Sequence, residues 1–361
     1  MTTQRACADC LRRSWLLARL AGHMDTERGR LSELLDLDDE DLIATVGGQD
    51  AALVRAEWLG FDVDPYRERC TAAELETLCR CEAAYPEKLW ALSAEPAVLH
   101  VAGGLERFLR FVARDTVAFV GARRASPYAL ENARSLARGV ARSEHMTVVS
   151  GMAAGVDSAV HEGALQSAGA TIAVLGSAPE RPYPASARQL HHRIVSAGVA
   201  VSELGPGVTT RRWMFPARNR IIAALSEMTV VVAARQGSGA MLTALEAMKL
   251  RRKVGGVPGQ VTAPLSFGPH VLLKTGGHLI AEPVDVFVAL FNQERRPPPE
   301  LTRPHDPALV PLFEAIADGY ELPSAFAEAG LEADEGLARL AELEMGGYVR
   351  RQAGGRYCIV P

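Results

Sequence analysis

The feature that most constrains the fold is a regular alternation of short apolar runs and helix-like segments in the middle of the 361-residue chain. The runs are rich in β-branched residues and repeat about every 25 to 30 residues, with starts at Val117, Thr147, Thr171, Val199, Thr229 and Val254. Because the runs are continuous rather than alternating, they predict strands buried on both faces. Their alternation with helices predicts an α/β fold with a doubly wound parallel sheet.

The regions on either side of this rhythm predict further domains. Five prolines in the segment 294–307 favour an extended linker. Helical spacing of apolar residues near the N-terminus predicts a helical domain, through Leu16, Leu17, Leu20, Leu31, Leu34 and Leu35. The predicted organisation is therefore a helical domain at 1–75, a sheet domain at 76–293, the linker, and a small domain at 308–361.

Glycine- and serine-rich turns follow five of the predicted strands, at the edge where parallel sheets bind ligands. Such turns lead into helix starts, where free N–H groups and the helix dipole favour anions. The candidate residues in these turns are Gly121, Arg123, Arg124, Ser126, Ser150, Gly151, Gly155, Ser177, Ser238, Gly239 and Thr243. Five such turns converging on one edge predict an anion-binding groove rather than tight-turn chemistry alone.

The distribution of charge supports an anionic ligand although the formal net charge is −4. The segment 121–142 holds five Arg and one Glu, and the segment 205–220 holds four Arg and no acid. The acidic residues concentrate near both ends of the chain. This distribution, with basic residues in the middle of the chain and acidic residues near its ends, indicates that one domain binds the anion.

The segment 213–222 places an aromatic residue beside cations. Pro216 is predicted at the first position of a helix, so Arg218 and Asn219 fall in its first turn and Phe215 stands just before it. This arrangement suits a single strand, whose bases stack on the ring while its phosphates meet the arginines. A buried Phe215 with solvated arginines fits the spacing equally well.

Several enzyme classes lack their signatures in this sequence. It contains no P-loop, no dinucleotide-binding glycine fingerprint, no H-E-x-x-H and no G-x-S-x-G. Asp157 and His161 share a helix face, and a local cap-and-pair arrangement is favoured over a catalytic dyad. No catalytic residue and no cofactor are predicted.

The cysteines predict no metal site. Cys7 and Cys10 form one C-x-x-C pair and Cys79 and Cys81 form a C-x-C pair, but the two pairs lie far apart and no His has ligand spacing. Reduced structural thiols are the favoured interpretation. No signal-peptide core or membrane-length apolar run is present, which predicts a cytoplasmic protein without a membrane partner.

Several ordered motifs resemble the DprA/Smf family of DNA-processing proteins. They are the segment 121–126, Ser150 to Leu165, Ile172 to Gly176, Tyr183-Pro184, Phe215-Pro-x-Arg218-Asn219-Arg220, and Ser238 to Ala244. The resemblance extends from about Cys81 to Leu290.

The resemblance implies a Rossmann-like domain that binds single-stranded DNA without sequence preference and without catalysis. It implies protection of the strand, loading of the RecA recombinase in natural transformation, and a homodimer formed through the Rossmann-like domain. By motif position, Arg123 matches the first-turn basic residue of the family. Phe215, Arg218, Asn219 and Arg220 match its strand-contacting motif. Replacement of Arg123 or Arg218 by alanine is expected to weaken binding and to leave the fold intact.

The C-terminal domain resembles the winged-helix-like domain that some family members carry. Its predicted recognition helix, residues 332–344, has five acids and one Arg, so a partner-binding or regulatory role is favoured over DNA reading. Two other functions stay open at this point. One is an enzyme that cleaves nucleoside monophosphates on a related Rossmann-like fold, and the other is a winged-helix DNA-binding regulator.

Overall fold

A computed structural model describes residues 6–292, 303–317, 320–351 and 357–359 of the chain. The chain forms two compact units, Met1–Gln293 and Glu294–Pro361. Across the described ranges, every helix is too short or too polar to span a bilayer.

A nine-stranded sheet lies at the centre of the first unit, in the spatial order β1-β2-β6-β5-β4-β3-β7-β8-β9. The strands are β1 Glu76–Cys79, β2 Val98–Ala102, β3 Asp115–Gly121, β4 Met146–Ser150, β5 Ala170–Val174, β6 Val199–Ser202, β7 Met228–Ala233, β8 Lys253–Gly256 and β9 His278–Leu279. Pairing from β6 through β9 is parallel, whereas β1 and β2 add an antiparallel edge. All six predicted strands are present, so the prediction of a doubly wound parallel sheet is confirmed. The pattern of apolar runs did not predict β1, β2 or the two-residue β9.

Helices cover both faces of this sheet. They are α7 Leu105–Val112, α8 Pro127–Ala141, α9 Val156–Gln166, α10 Arg188–Ala197, α11 Met214–Leu225, α12 Gly239–Lys249, α13 Phe267–Lys274 and α14 Pro283–Phe291. Alternate residues of β3 pack on opposite faces of the sheet, because successive side chains of a strand point in opposite directions. Ala118 and Val120 pack in the cluster that holds α7, α11 and α12, while Val117 and Phe119 pack with α8 and α9. Burial on both faces explains why the strands are predominantly apolar.

The N-terminal part of the first unit is helical. Its helices are α1 Ala8–Arg19, α2 Ala21–Thr26, α3 Leu31–Asp36, α4 Asp39–Val46, α5 Ala51–Leu59 and α6 Val63–Ala72. The six leucines that predicted these helices are all buried. They pack in one cluster with Trp213, Met214 and Ala217, so the helical layer contacts the start of α11. The separation of 1–75 from 76–293 as an independent domain stays a prediction.

Two polar contacts fix this helical layer to α11. The indole Nε1 of Trp213 donates to the carbonyl oxygen of Ala21 at 2.9 Å, and the backbone N–H of Trp213 donates to Asp25 Oδ1 at 2.9 Å. Trp213 is fully buried. The N-terminal helices, for which the sequence indicated no chemistry, therefore set the position of the helix that begins at Met214.

The structure corrects the placement of the cysteines. The Sγ atoms of Cys7, Cys10, Cys79 and Cys81 all lie within 4.8 Å of one another. The two pairs are distant in the sequence, but the start of α1 packs beside the end of β1. The sequence separation of the two pairs did not indicate this proximity, and the interpretation of the four residues as reduced structural thiols stays a prediction.

The second unit has its own apolar core. Its described elements are α15 Val310–Ala317, α16 Leu322–Glu328, α17 Ala333–Met345, β10 Val349–Arg351 and β11 Tyr357–Ile359. The strands β10 and β11 pair antiparallel, and Phe313, Leu340 and Leu343 are buried between the helices. The predicted acidic helix corresponds to α17, and the assignment of a winged-helix-like domain stays a prediction.

Candidate nucleic-acid interface

A cavity of about 710 Å³ opens at the carboxyl ends of β3 and β7. The connection from β3 leads to β4 on one side, whereas the connection from β7 leads to β8 on the other side. The cavity therefore lies at the point where the winding direction of the sheet reverses, which is the usual ligand site of a doubly wound fold. Its volume is in the range of small-ligand sites.

Five arginines line this cavity. They are Arg123, Arg124, Arg212, Arg218 and Arg235. All except Arg218 are exposed to solvent. Within the described part of the chain, these four exposed guanidinium groups form no ion pair with a carboxylate. They are therefore available to an anionic ligand.

An aromatic pair borders the same cavity. The rings of Tyr183 and Phe215 are 5.1 Å apart and inclined by 41°. The Arg123 guanidinium lies 5.2 Å from the centre of the Phe215 ring, a cation–π contact. Tyr183 is 44% exposed, so part of this residue is accessible to a ligand.

Arg218 is buried, unlike the other four arginines. Its relative exposure is 6%, and its guanidinium forms an ion pair with Asp157 at 3.6 Å and donates to the carbonyl oxygen of Val174 at 2.7 Å. Its Nε donates to Asn219 Oδ1 at 3.1 Å. A Cβ at Gly151 would lie 1.6 Å from Arg218 Nη1, so a glycine is required there. The expectation that Arg218 lies outside the core is therefore wrong.

Asp157 connects the turns around this cavity. Its carboxylate accepts from the backbone N–H of Ala153 at 3.3 Å. Burial raises the pKa of the Asp157 carboxyl, and the Arg218 charge and the backbone N–H groups offset part of that effect. The Arg218–Asp157 pair thus joins α11 to the start of α9 in the wall of the cavity.

The start of α12 presents polar groups to the cavity. Ser238 precedes this helix, and its buried hydroxyl has no hydrogen-bond partner among the described residues. The first N–H groups of a helix have no partner within the helix and favour anions. Gly239 and Thr243 also line the cavity, and Asn219 Nδ2 donates to the Gly239 carbonyl oxygen at 3.3 Å.

The structure brings nine of the fifteen predicted site residues to the cavity. They are Gly121, Arg123, Arg124, Phe215, Arg218, Asn219, Ser238, Gly239 and Thr243.

The other six predicted site residues lie outside the cavity lining. Ser126 caps α8, Ser150 donates to the Phe119 carbonyl oxygen at 2.7 Å, and the buried Ser177 hydroxyl faces the Arg181 carbonyl oxygen at 3.5 Å. Gly151 and Gly155 permit close packing, the latter with a φ of +85°. Arg220 forms an ion pair with Glu203 at 2.7 Å. Five of these residues were predicted from the glycine- and serine-rich turns and Arg220 from the family motif, and a direct role of these six in ligand binding stays a prediction.

Sequence reasoning missed two arginines and one tyrosine of the cavity lining and misplaced one helix start. Arg212, Arg235 and Tyr183 line the cavity, although Arg212 stands in the basic run and Tyr183 in a family motif. Pro216 is the third residue of α11 rather than the first, because the buried Trp213 precedes the helix. Arg218 consequently lies in the second turn.

Asp157 and His161 each have separate structural partners. His161 Nδ1 lies 2.8 Å from Thr171 Oγ1, and Asp157 pairs with Arg218. Burial and the nearby Arg218 charge lower the pKa of His161 to about 3, so the imidazole is neutral at pH 7. Within the described residues, Asp157 and His161 share no hydrogen bond, so they form neither the favoured local pair nor a catalytic dyad.

The sheet and the cavity define the chain as a Rossmann-like protein with a basic, aromatic-bearing site at its switch point. The family model described as DNA recombination-mediator protein A matches residues 76–291, more than half of the chain. The chain belongs to this family, the DprA/Smf family, and the resemblance read from its motifs is confirmed.

Relatives with known names support this membership. A putative DNA processing protein DprA of Mycobacterium tuberculosis is 40% identical over 258 residues, which cover 67% of this chain and 64% of the relative. The match thus spans less than two thirds of that relative. Protein Smf of Escherichia coli is 34% identical over 281 residues, 75% of this chain and 74% of the relative.

Two solved structures share the fold. DNA processing protein A from Streptococcus pneumoniae aligns with a TM-score of 0.62 and 29% identity, over 77% of this chain and 95% of that one. DNA processing protein A from Helicobacter pylori aligns with a TM-score of 0.54 and 27% identity, over 61% and 96%. The H. pylori structure is described as giving insight into a single-stranded DNA binding mode.

Proposed function

We propose that this protein binds single-stranded DNA, with little base preference, in the cavity at the switch point of the sheet. The observation that carries the proposal is the set of four exposed arginines beside the Tyr183–Phe215 pair, none of which forms an ion pair with another described residue. Arginines bind the phosphates that every nucleotide carries, and aromatic rings stack with bases of any identity. The single-strand binding described for the H. pylori relative supports the same ligand.

The aromatic pair favours a single strand over a duplex. In a duplex the base faces are stacked on one another, so a side chain reaches them only by unstacking, which costs a few kcal/mol. In a single strand the base faces are accessible to Tyr183, a residue that is 44% exposed. The Arg123–Phe215 contact places a phosphate-binding group beside the stacking surface.

A binding role rather than catalysis is part of this proposal. A general base must reach the proton that it abstracts. The buried Asp157 is paired with Arg218, and the buried His161 is hydrogen bonded to Thr171. Both groups therefore stabilise the site, and the phosphate contacts are assigned to the exposed arginines Arg123, Arg124, Arg212 and Arg235 with Ser238 and the start of α12.

The full chain should bind a fluorescent homopolymeric single strand more tightly than a duplex of the same length. The logarithm of the binding constant should fall linearly with the logarithm of salt concentration, with a slope near −0.7 for each phosphate contact. An anisotropy titration at two salt concentrations measures both quantities. Equal affinity for the duplex would contradict the proposal. So would a preference for one base composition that is larger than the differences in stacking strength between the bases can explain.

Deletion of residues 304–361 should leave single-strand affinity nearly unchanged. The second unit is compact by itself, and its helix α17 is acidic, so it contributes little counterion release. A titration of the truncated and full chains under the same salt conditions tests this expectation. A loss of affinity of about tenfold, with a flatter salt slope, would show that arginines of the second unit hold phosphates. Arg350 and Arg351 of β10 are the candidates for such contacts.

We further propose the cellular role that family membership supports. In this role the protein protects incoming single strands in the cytoplasm and loads the RecA recombinase during DNA uptake and recombination. We also propose a homodimer formed through the Rossmann-like unit. One face of α12 supports it, because Leu242, Leu245 and Met248 are each more than 40% exposed along that helix.

A further inference from the structure

We propose that Cys7, Cys10, Cys79 and Cys81 form a structural zinc site that joins the N-terminal helices to the edge of the sheet. All four Sγ atoms lie within 4.8 Å of one another. The Sγ of Cys81 is 3.8 Å from that of Cys7 and 3.7 Å from that of Cys10. Tetrahedral zinc with bonds of about 2.3 Å holds its four sulfurs about 3.8 Å apart, so these separations fit a single metal ion.

The local backbone presents the four thiols from two short segments. Cys7 is the residue before α1 and Cys10 lies in the first turn of that helix. Helix N-termini stabilise thiolates, the form that binds metal. Cys79 ends β1, and the turn after it brings Cys81 back toward the helix.

This turn is held by its own hydrogen bonds. The backbone N–H of Glu82 donates to the Cys79 carbonyl oxygen at 3.0 Å, and the backbone N–H of Cys79 donates to Glu82 Oε1 at 2.8 Å. The backbone N–H of Arg80 donates to the Ala97 carbonyl oxygen at 3.0 Å. The two thiols of the C-x-C pair are therefore held in place by contacts that do not involve the metal. Such preorganisation is typical of structural zinc sites.

The geometry argues against other uses of these thiols. A disulfide requires sulfurs about 2.05 Å apart, well below the 3.7 and 3.8 Å observed here. An iron–sulfur cluster distributes its four thiolates over two or four irons and so requires a wider ligand set than one within 4.8 Å. Four thiolates without an open position favour a structural rather than a catalytic metal.

The site has a structural consequence for the helical layer. The metal fixes the start of α1. The helical layer that begins with α1 contacts the start of α11 through Trp213. A metal bound to Cys7 and Cys79 crosslinks segments that are distant in the sequence, which restricts the unfolded chain most strongly for long loops. This inference is independent of the DNA-binding proposal.

Metal analysis of the full chain, produced without a polyhistidine tag in zinc-supplemented medium, tests the site. We expect about one zinc per chain by elemental analysis. Substitution of the exposed thiol in Cys81→Ser should remove that zinc. Cys70→Ala is the matched control, because Cys70 is buried in the neighbouring apolar cluster but is outside the four-thiol set, and it should retain the zinc.

A second measurement does not depend on the folding of a variant. After removal of zinc from the wild-type chain by a chelator, added Co²⁺ should give the ligand-field and sulfur-to-cobalt charge-transfer bands of tetrahedral thiolate coordination. Zinc should then displace these bands. Three results would each overturn the proposal. The wild-type chain could contain no zinc and give no cobalt bands, it could contain iron in place of zinc, or the Cys81→Ser variant could retain its full zinc content.

Discussion

Replacement of Arg218 by methionine should lower the free energy of unfolding by about 3–5 kcal/mol, because it leaves the buried Asp157 carboxylate without its counter-charge. Asp157 is only 4% exposed and Arg218 only 6%. The change also removes the donor to the Val174 carbonyl oxygen, so a buried acceptor loses its partner. Urea unfolding at pH 7, followed by circular dichroism, measures the effect.

Two comparisons separate charge loss from loss of packing. The double variant Arg218→Met with Asp157→Asn should recover part of the stability, because it removes the buried unpaired charge and keeps an acceptor for the backbone N–H of Ala153. The single change Arg212→Ala removes an exposed arginine of the same cavity and should alter stability by no more than about 0.5 kcal/mol. An unfolding midpoint unchanged by Arg218→Met would show that the ion pair is not a structural element of the site.

Replacement of Arg123, Arg124 and Arg235 together by alanine should weaken single-strand binding by about a hundredfold or more. A hydrogen bond to a charged group contributes about 1.5 kcal/mol, and about 1.4 kcal/mol corresponds to tenfold in affinity. The salt slope should become shallower by about 2, since each lost phosphate contact removes about 0.7. Fluorescence titration at several salt concentrations measures both changes.

The control for this triple variant is Arg142→Ala. Arg142 is exposed and belongs to the same basic stretch of sequence, but it lies at the end of α8 opposite the cavity. A 15-residue helix separates it from the cavity edge by about 20 Å. The Arg142→Ala variant should leave the single-strand affinity and the salt slope nearly unchanged. If the triple variant and Arg142→Ala weaken binding equally, the binding reflects diffuse charge rather than this cavity.

The sheet was predictable because burial on both faces imposes a strong sequence pattern. The central parallel strands are predominantly apolar, as in Met228–Ala233, so every one of them was found. The edge strand Glu76–Cys79 was missed because its first two residues are only partly buried and its sequence is mixed. The antiparallel pairing of β1 with β2 depends on contacts made by residues far apart in the chain.

The candidate site was predictable in its location but not in the role of each side chain. Glycine-rich turns and basic runs identified the correct strand ends. Spacing could not show that Arg218 is buried against Asp157 while Arg123 is exposed, because that difference arises from the packing of α11 against β4 and β5. The cysteine cluster was missed for the same reason, since the proximity of Cys10 to Cys81 depends on how α1 packs beside β1.

The most direct test of the central claim is to find where a single strand lies on the protein. A single-stranded oligonucleotide carrying 5-iodouracil can be crosslinked to the full chain by ultraviolet light, and the modified peptide identified by mass spectrometry. The account predicts crosslinks at Tyr183 or Phe215, the aromatic pair that borders the cavity. Crosslinks confined to the second unit, or to a surface remote from β3 and β7, would contradict it.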